Sequence, residues 1–160
     1  RFEWQFGVGA LFSLFHDVAL TFGFFALTQL EFNLNIVAAI LTIIGYSLND
    51  TIVVYDRVRE NLRKFRRMEI IPLLNLSTNE TLSRTIVTSL SLIIALVVLV
   101  FLGPEVIFGF SLAMLLGIVI GTYSSIYIAN PVLILAGIGP HSFVTKDSDT
   151  SERVAPKELP

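Results

Sequence analysis

Asn49 and Asp50 stand inside one of the most apolar parts of this sequence and are its first candidates for chemistry. They belong to the stretch GYSLNDTIVVYDRVREN, residues 45–61, which follows the uncharged residues 36–44. A membrane helix tolerates an ionised carboxylate poorly. We therefore expect Asp50 to face protein or water, and to bind and release a proton.

The composition is typical of a membrane protein. Hydrophobic residues make up 54% of the 160 residues, charged residues make up 15%, and the mean hydropathy is +0.76. Soluble domains of this size are less apolar. The net charge of −2 gives no indication of a nucleic-acid partner. The absence of cysteine excludes thiolate chemistry, and His16 and His141 are too far apart in sequence to indicate a metal site.

Four segments are long and apolar enough to cross a bilayer as helices, which needs about 20 residues each. They cover approximately residues 6–30, 34–55, 85–102 and 107–135. The predicted fold class is therefore an all-α membrane protein, a bundle of four transmembrane helices. We expect the loop 56–84 to continue the second helix, break at Pro72 and run along the membrane surface. The polar residues 141–160 are predicted to be a disordered cytoplasmic tail.

The positions of the cations orient these spans. The two short turns hold Glu31 and Glu105 and no Lys or Arg, so all 11 cations fall on the opposite side of the predicted membrane. Lys and Arg concentrate on the cytoplasmic side of membrane proteins. We therefore expect both ends of the chain and the loop 56–84 to be cytoplasmic.

Span one carries a second intramembrane carboxylate. Asp17 lies beside His16 near the middle of the span, and Gly9, Ser13 and Thr21 share its face at four-residue spacing. Such a carboxylate should face protein or water. Two interpretations stay open: a neutral Asp that forms a hydrogen bond between helices, and a functional proton-linked group.

Span four carries a stripe of small residues at four-residue spacing. Its members are Gly109, Ala113, Gly117, Gly121, Ser125 and Ala129. Small residues let helix backbones approach closely in lipid, so we interpret Gly109, Gly117, Gly121 and Ser125 as helix-packing positions. Each step over-rotates the helix by about 40°, which is typical of a long helix that crosses more than one neighbour. Generic tight packing explains this stripe without any particular activity.

Asp50 and Arg84 are predicted to meet. If spans two and three are antiparallel neighbours, the two side chains lie at comparable depth. A nearby opposite charge favours an ionised carboxylate, whereas burial disfavours it. Movement of Arg84 would then change how strongly Asp50 holds a proton, and the pair would act as a switch. A static structural salt bridge is the alternative.

The stretch 45–61 closely resembles the signature of SecF, the smaller subunit of the bacterial SecDF protein-translocation complex. The resemblance covers roughly residues 1–140 and includes HDV at 16–18, LSRTIVTS at 82–89 and GFSLAMLLGIVIGTYSSIYIA at 109–129. The family usually has another residue at the position of Tyr55.

The resemblance implies a proton-driven protein of the resistance-nodulation-division superfamily, with six transmembrane helices and a periplasmic domain. We expect this chain to contain the last four of those helices. Asp50 then corresponds to the family's proton-linked carboxylate and Arg84 to its arginine partner. The candidates for proton coupling are accordingly Asp50, Arg84, Asn49 and Asp17.

The expected function is the membrane core of a protein-export subunit of the bacterial cytoplasmic membrane. With SecD, the SecYEG channel and YajC, it would use the proton-motive force for late export of unfolded polypeptide. We expect no enzyme activity, no metal and no cofactor other than protons as the coupling ion.

Three alternatives stay open. The first is a proton-driven small-molecule exporter of the same superfamily. The second is an intramembrane aspartyl protease that pairs Asp17 with Asp50, although the chain has no Gly-x-Gly-Asp motif. The third is a structural scaffold that would lose nothing when Asp50 is neutralised.

Overall fold

The computed structural model describes residues 4–65 and 67–138, and all regular secondary structure within these residues is helical. It comprises α1 (Trp4–Thr28), α2 (Leu34–Lys64), α3 (Ile70–Leu102), α4 (Glu105–Tyr127) and α5 (Ala129–Leu135). Only Ile128 separates α4 from α5, and when the two are taken as one segment the described chain has four helical segments long and apolar enough to cross a membrane. The predicted all-α four-helix fold is confirmed. The expected tail, 141–160, lies outside the described residues.

The helix ends follow from local chemistry. α1 ends where Gln29 adopts the left-handed backbone conformation, with φ of 53°. The Asn33 side chain caps α2 by accepting a 3.2 Å hydrogen bond from the backbone N–H of Ile36. Pro131 lies in the first turn of α5 and has no N–H to donate to the carbonyl four residues earlier, which explains why α4 does not continue unbroken beyond Tyr127.

The predicted break at Pro72 is wrong. α2 continues to Lys64 and α3 already begins at Ile70, so most of the segment 56–84 consists of two helical extensions. Pro72 is the third residue of α3. In the first turn of a helix the backbone N–H has no intrahelical partner, so proline costs little there.

α2 and α4 pack together as a parallel pair. From one end of this contact to the other, Gly109 faces Ile36, Gly117 faces Ile43, and Gly121 faces Ser47. Each of the helices α1 and α3 packs against both members of the pair. All four helices therefore contribute side chains to the interior.

The interior has two apolar clusters separated by a polar layer. One cluster contains Phe25, Ile36, Ala39, Ile40, Ile43, Leu96, Ala113, Met114 and Ile118. The other contains Phe6, Val54, Tyr55, Val58, Leu62, Leu73, Leu74, Ala129, Leu133 and Ile138. Between them, buried polar side chains from all four long helices meet; these are Ser13, Asp17, Thr21, Ser47, Asp50, Thr51, Thr85, Ser89, Ser124 and Ser125.

The outer surface is apolar. Large hydrophobic side chains such as Leu27, which is 86% exposed, and Phe101, which is 79% exposed, point away from the interior. Such a surface suits contact with lipid acyl chains. The bundle is thus apolar outside and polar across its middle, which is the arrangement expected where ionisable groups function within a membrane.

Candidate functional site

The polar layer contains two carboxylates, and both are buried. Asp17 of α1 is 0% exposed and Asp50 of α2 is 8% exposed. The oxygens of both carboxylates accept hydrogen bonds from hydroxyl groups of neighbouring helices.

Asp50 is held between α3 and α4. The Thr85 hydroxyl donates a 3.0 Å hydrogen bond to Oδ1, and the Ser125 hydroxyl donates a 2.9 Å hydrogen bond to Oδ2. Each carboxylate oxygen thus has one hydroxyl donor. Donors of this kind stabilise a charge that burial would otherwise penalise.

Asp50 also lines a cavity between α2 and α3. The cavity has a volume of about 400 Å³, and Asn49, Arg84 and Thr88 are among its other lining residues. No ion pair between Asp50 and Arg84 is formed in the described part of the chain, so the structure does not contain the predicted salt bridge. The two residues nevertheless face the same space, as the predicted comparable depth requires.

A second cavity adjoins the first. It also has a volume of about 400 Å³, and Val53 and Arg84 line both. Its wall includes a charged network in which Arg57 donates 2.6 Å hydrogen bonds to Glu60 and to Glu80. Arg84 therefore stands between the buried carboxylate and a cluster of exposed charges.

Asp17 has more polar neighbours than Asp50. Both Ser47 and Ser124 donate hydrogen bonds to its Oδ2, the latter at 2.8 Å. His16 Nδ1 lies 3.1 Å from Oδ1. Asp17 therefore connects α1 to both members of the α2–α4 pair, and the polar face of α1 faces the interior. Whether Asp17 takes part in proton coupling stays a prediction.

A chain of hydroxyl groups runs beside Asp50. The Tyr46 hydroxyl lies 2.8 Å from Ser89 Oγ, which in turn lies 2.7 Å from Thr122 Oγ1. Thr122 donates to the backbone carbonyl of Ile118. These groups link α2, α3 and α4 at the level of the polar layer.

The small residues of α4 pack against α2, and they differ in how closely α2 approaches them. A Cβ at Gly117 would collide with the Ile43 side chain, and a Cβ at Gly121 would lie 3.3 Å from Ser47 Cβ. A Cβ at Gly109 would make an ordinary 3.8 Å contact with Ile36. Ser125, predicted as a packing position, is a hydrogen-bond donor to Asp50.

Several site residues carry no recognisable signal in the sequence. Thr85, Ser47 and Ser124 contact the carboxylates, but serine and threonine in helices commonly bond to a carbonyl of their own helix. Thr42 is an example, since its hydroxyl donates to Ala38 O. Only the rotation of each helix about its axis decides which hydroxyls reach a carboxylate.

The fold and site are those of a polytopic membrane protein with ionisable groups in its core, and comparison with known families specifies the class. The family model described as "Protein export membrane protein SecD/SecF, C-terminal" matches residues 1–138. The chain belongs to this family of export membrane proteins. The resemblance to SecF predicted from the sequence is thereby confirmed.

Individual relatives agree with the family match. The chain is 54% identical over 133 residues to "Protein translocase subunit SecF" of Rickettsia rickettsii. This match covers 83% of this chain and 43% of the relative. It is also 54% identical over 138 residues to the SecF subunit of Cereibacter sphaeroides, covering 86% of this chain and 43% of the relative. The chain thus spans less than half the length of these curated relatives.

A solved structure shares the fold. It is described as "Crystal structure of SecDF in Super-membrane-facing form" and superposes with a TM-score of 0.82 at 43% identity. The match covers 95% of this chain and 20% of that one. The family and the four membrane-length segments indicate a multi-pass protein of the bacterial inner membrane. The cytoplasmic position of both chain ends stays a prediction.

Proposed function

We propose that this chain is the membrane core of a SecF subunit that uses proton movement to drive a late step of protein export. The family match and the relatives named as translocase subunits support a role in protein translocation. The proton-coupling part of the proposal rests on the surroundings of Asp50.

The observation that carries the proposal is a buried carboxylate on the wall of a cavity. Asp50 accepts one hydroxyl hydrogen bond on each oxygen, and only Arg84 of the described cations lines the same cavity. Because no ion pair fixes Arg84 to Asp50, the arginine can approach or retreat as the helices move. Its approach would favour release of a proton from Asp50, and its retreat would favour proton uptake.

The energy available from proton movement is enough to shift a conformational equilibrium. Moving one proton down 100 mV yields ~2.3 kcal/mol. A two-state equilibrium that is biased by this amount changes its population ratio about fiftyfold. The proposal requires no bond chemistry on a substrate. The chain is accordingly proposed to be a transport subunit and not an enzyme, with protons as its coupling ion.

The proposed partners follow from the relatives. The solved structure with the same fold is a SecDF protein, so SecD is the first partner proposed for this chain. SecYEG, YajC and an unfolded exported polypeptide complete the proposal, and lipid covers the apolar outer surface. No nucleic-acid partner is proposed.

The test is Asp50→Asn in the complete SecDF complex. Precursor translocation is measured in inverted membrane vesicles with and without a proton gradient, and Asp56→Asn on the exposed face of α2 is the matched control. We expect Asp50→Asn to abolish the gradient-dependent part of export, and Asp56→Asn to retain it. Undiminished gradient-dependent export in Asp50→Asn would reject the proton-coupling role.

A further inference from the structure

Two adjacent serines of α4 hold the two buried carboxylates, which lie on different helices. Ser124 Oγ donates a 2.8 Å hydrogen bond to Asp17 on α1, and Ser125 Oγ donates a 2.9 Å hydrogen bond to Asp50 on α2. The two contacts diverge because consecutive residues of a helix point about 100° apart. A single turn of α4 therefore contacts both carboxylates.

Each of these serines also has a second acceptor within its own helix. Ser125 Oγ lies 3.0 Å from the carbonyl oxygen of Thr122, and Ser124 Oγ lies 3.2 Å from that of Gly121. A hydroxyl carries one proton and donates fully to one acceptor at a time. Each serine can therefore exchange a carboxylate for a backbone carbonyl by rotation about its Cβ–Oγ bond.

We propose that Ser125 is a positioning residue that senses the protonation state of Asp50 and transmits it to α4. This inference rests on the proposed function and names a further residue of the same site. While Asp50 is ionised, Ser125 donates to its Oδ2. When Oδ2 takes up a proton, the new O–H donates to Ser125 Oγ, and the Ser125 hydroxyl turns to Thr122 O. The only bond formed is the O–H of the carboxyl group.

Proton uptake then loosens the contact between α2 and α4. Hydrogen bonds to an ionised carboxylate are about twice as strong as those between neutral groups. Protonation replaces the charge-assisted bond from Ser125 to Asp50 by two neutral ones, of which one lies within α4 itself. The consequence is a weaker link between the two helices in the protonated state, at the level of the polar layer.

In this proposal Asp17 is a fixed anchor, whereas the contact of Asp50 with Ser125 changes. It is fully buried, and it accepts from Ser47 of α2 as well as from Ser124 of α4. The titratable group beside it is His16 of α1, whereas the charged group that faces Asp50 is Arg84 of α3. α4 contributes only hydroxyl groups to both sites. Asp17 therefore anchors α4 to α1 while the contact of Ser125 with Asp50 changes.

The test compares Ser125→Ala with Ser111→Ala in the complete SecDF complex. Ser111 is a buried serine of the same helix whose hydroxyl has no hydrogen-bond partner in the described residues, so it is a matched control. Infrared difference spectra recorded across a pH titration reveal the band of a protonated carboxyl group. The band that disappears in Asp50→Asn belongs to Asp50.

In Ser125→Ala we expect the C=O band of protonated Asp50 to move to higher frequency, because the carboxyl O–H has lost its acceptor. We also expect its midpoint to move by about one pH unit to higher pH, a tenfold change in proton binding, because the ionised form has lost a donor. The pH profile of gradient-driven export should move with it. Ser125→Thr, which keeps the hydroxyl, should restore the band position, and Ser111→Ala should match the parent.

An unchanged Asp50 band and midpoint in Ser125→Ala would overturn the inference, even if the variant melted at a lower temperature. Such a result would assign Ser125 a purely structural role. The proposed function has a separate point of failure, because it falls only if Asp50→Asn retains gradient-driven export. The two proposals can therefore fail independently.

Discussion

The Thr85 hydroxyl donates a 3.0 Å hydrogen bond to Asp50, while Arg84, the preceding residue of α3, lines the same cavity as Asp50 without pairing with that carboxylate. Consecutive residues of one helix thus approach Asp50 in different ways. Thr85 supplies a fixed neutral donor, and Arg84 supplies a positive charge that is free to change its distance. A carboxylate that exchanges protons needs both features, because its ionised form must be stabilised and must also be able to take up a proton.

Thr85→Val should impair proton coupling more than it impairs folding. Valine keeps the shape of threonine but leaves Asp50 Oδ1 without its hydroxyl donor. We expect a loss of stability of ~1–3 kcal/mol and a fall of gradient-driven export by about tenfold. Thermal melting of the purified complex and translocation in inverted vesicles measure the two effects.

Two variants control for this prediction. Thr85→Ser keeps the hydroxyl and should restore most of the export. Thr42→Val removes an exposed hydroxyl that donates only within α2, to Ala38 O, and should leave export unchanged. Equal export by Thr85→Val and the parent complex would contradict the assigned role of the Thr85 hydroxyl.

Gly117 and Gly109 should respond differently to the same substitution. In Gly117→Ala the new methyl group would overlap the Ile43 side chain, so α2 and α4 would have to separate. We expect a loss of ~1–3 kcal/mol. In Gly109→Ala the methyl group makes an ordinary contact with Ile36 at 3.8 Å, and replacing a helical glycine gains up to ~1 kcal/mol. Melting temperatures in detergent should therefore move in opposite directions, and equal values would show that α2 and α4 do not meet at Gly117.

Tyr55 and Gly9 should be energetically coupled. The Tyr55 hydroxyl donates a 2.8 Å hydrogen bond to the Ala129 carbonyl, at the break between α4 and α5, and it occupies the space that a Cβ at Gly9 would need. Tyr55→Phe should cost ~1 kcal/mol through the lost hydrogen bond. Gly9→Ala should cost more in the parent than in the Tyr55→Phe background, because phenylalanine lacks the obstructing oxygen.

A double-mutant cycle measured by thermal melting determines this coupling. The two effects should be less than additive by ~0.5–1 kcal/mol. Strict additivity would mean that α1 does not approach Tyr55 as closely as the structure shows.

The sequence predicts the number of spans and the burial of Asp17 and Asp50, but not how the helices are rotated. Hydropathy and small-residue spacing are local properties, so the four spans and the Gly117 contact could be predicted from them. The break expected at Pro72 is absent because the effect of a proline depends on its place within a helix, which the hydropathy pattern does not contain. The donors Thr85 and Ser125 reach Asp50 only because α3 and α4 are turned so that both hydroxyls face α2. That rotation is decided by packing across the whole bundle.

The last prediction separates a proton switch from a static ion pair between Asp50 and Arg84. A static pair would be replaceable, so that the neutral combination Asp50→Asn with Arg84→Gln would recover both stability and gradient-driven export. If the pair is a switch, the double variant would recover stability alone, because an amide binds no proton in this pH range.

The structure favours the switch, since the two side chains share a cavity without a bond between them. Arg84→Lys should retain only part of the export, because a compact ammonium does not reproduce the forked donors of a guanidinium group. Melting of the purified complex and export in inverted vesicles are measured on the double variant and on both single variants. Export at the parent level in the double variant would reject the switch, and export at the level of Asp50→Asn with a recovered melting temperature is the expected result.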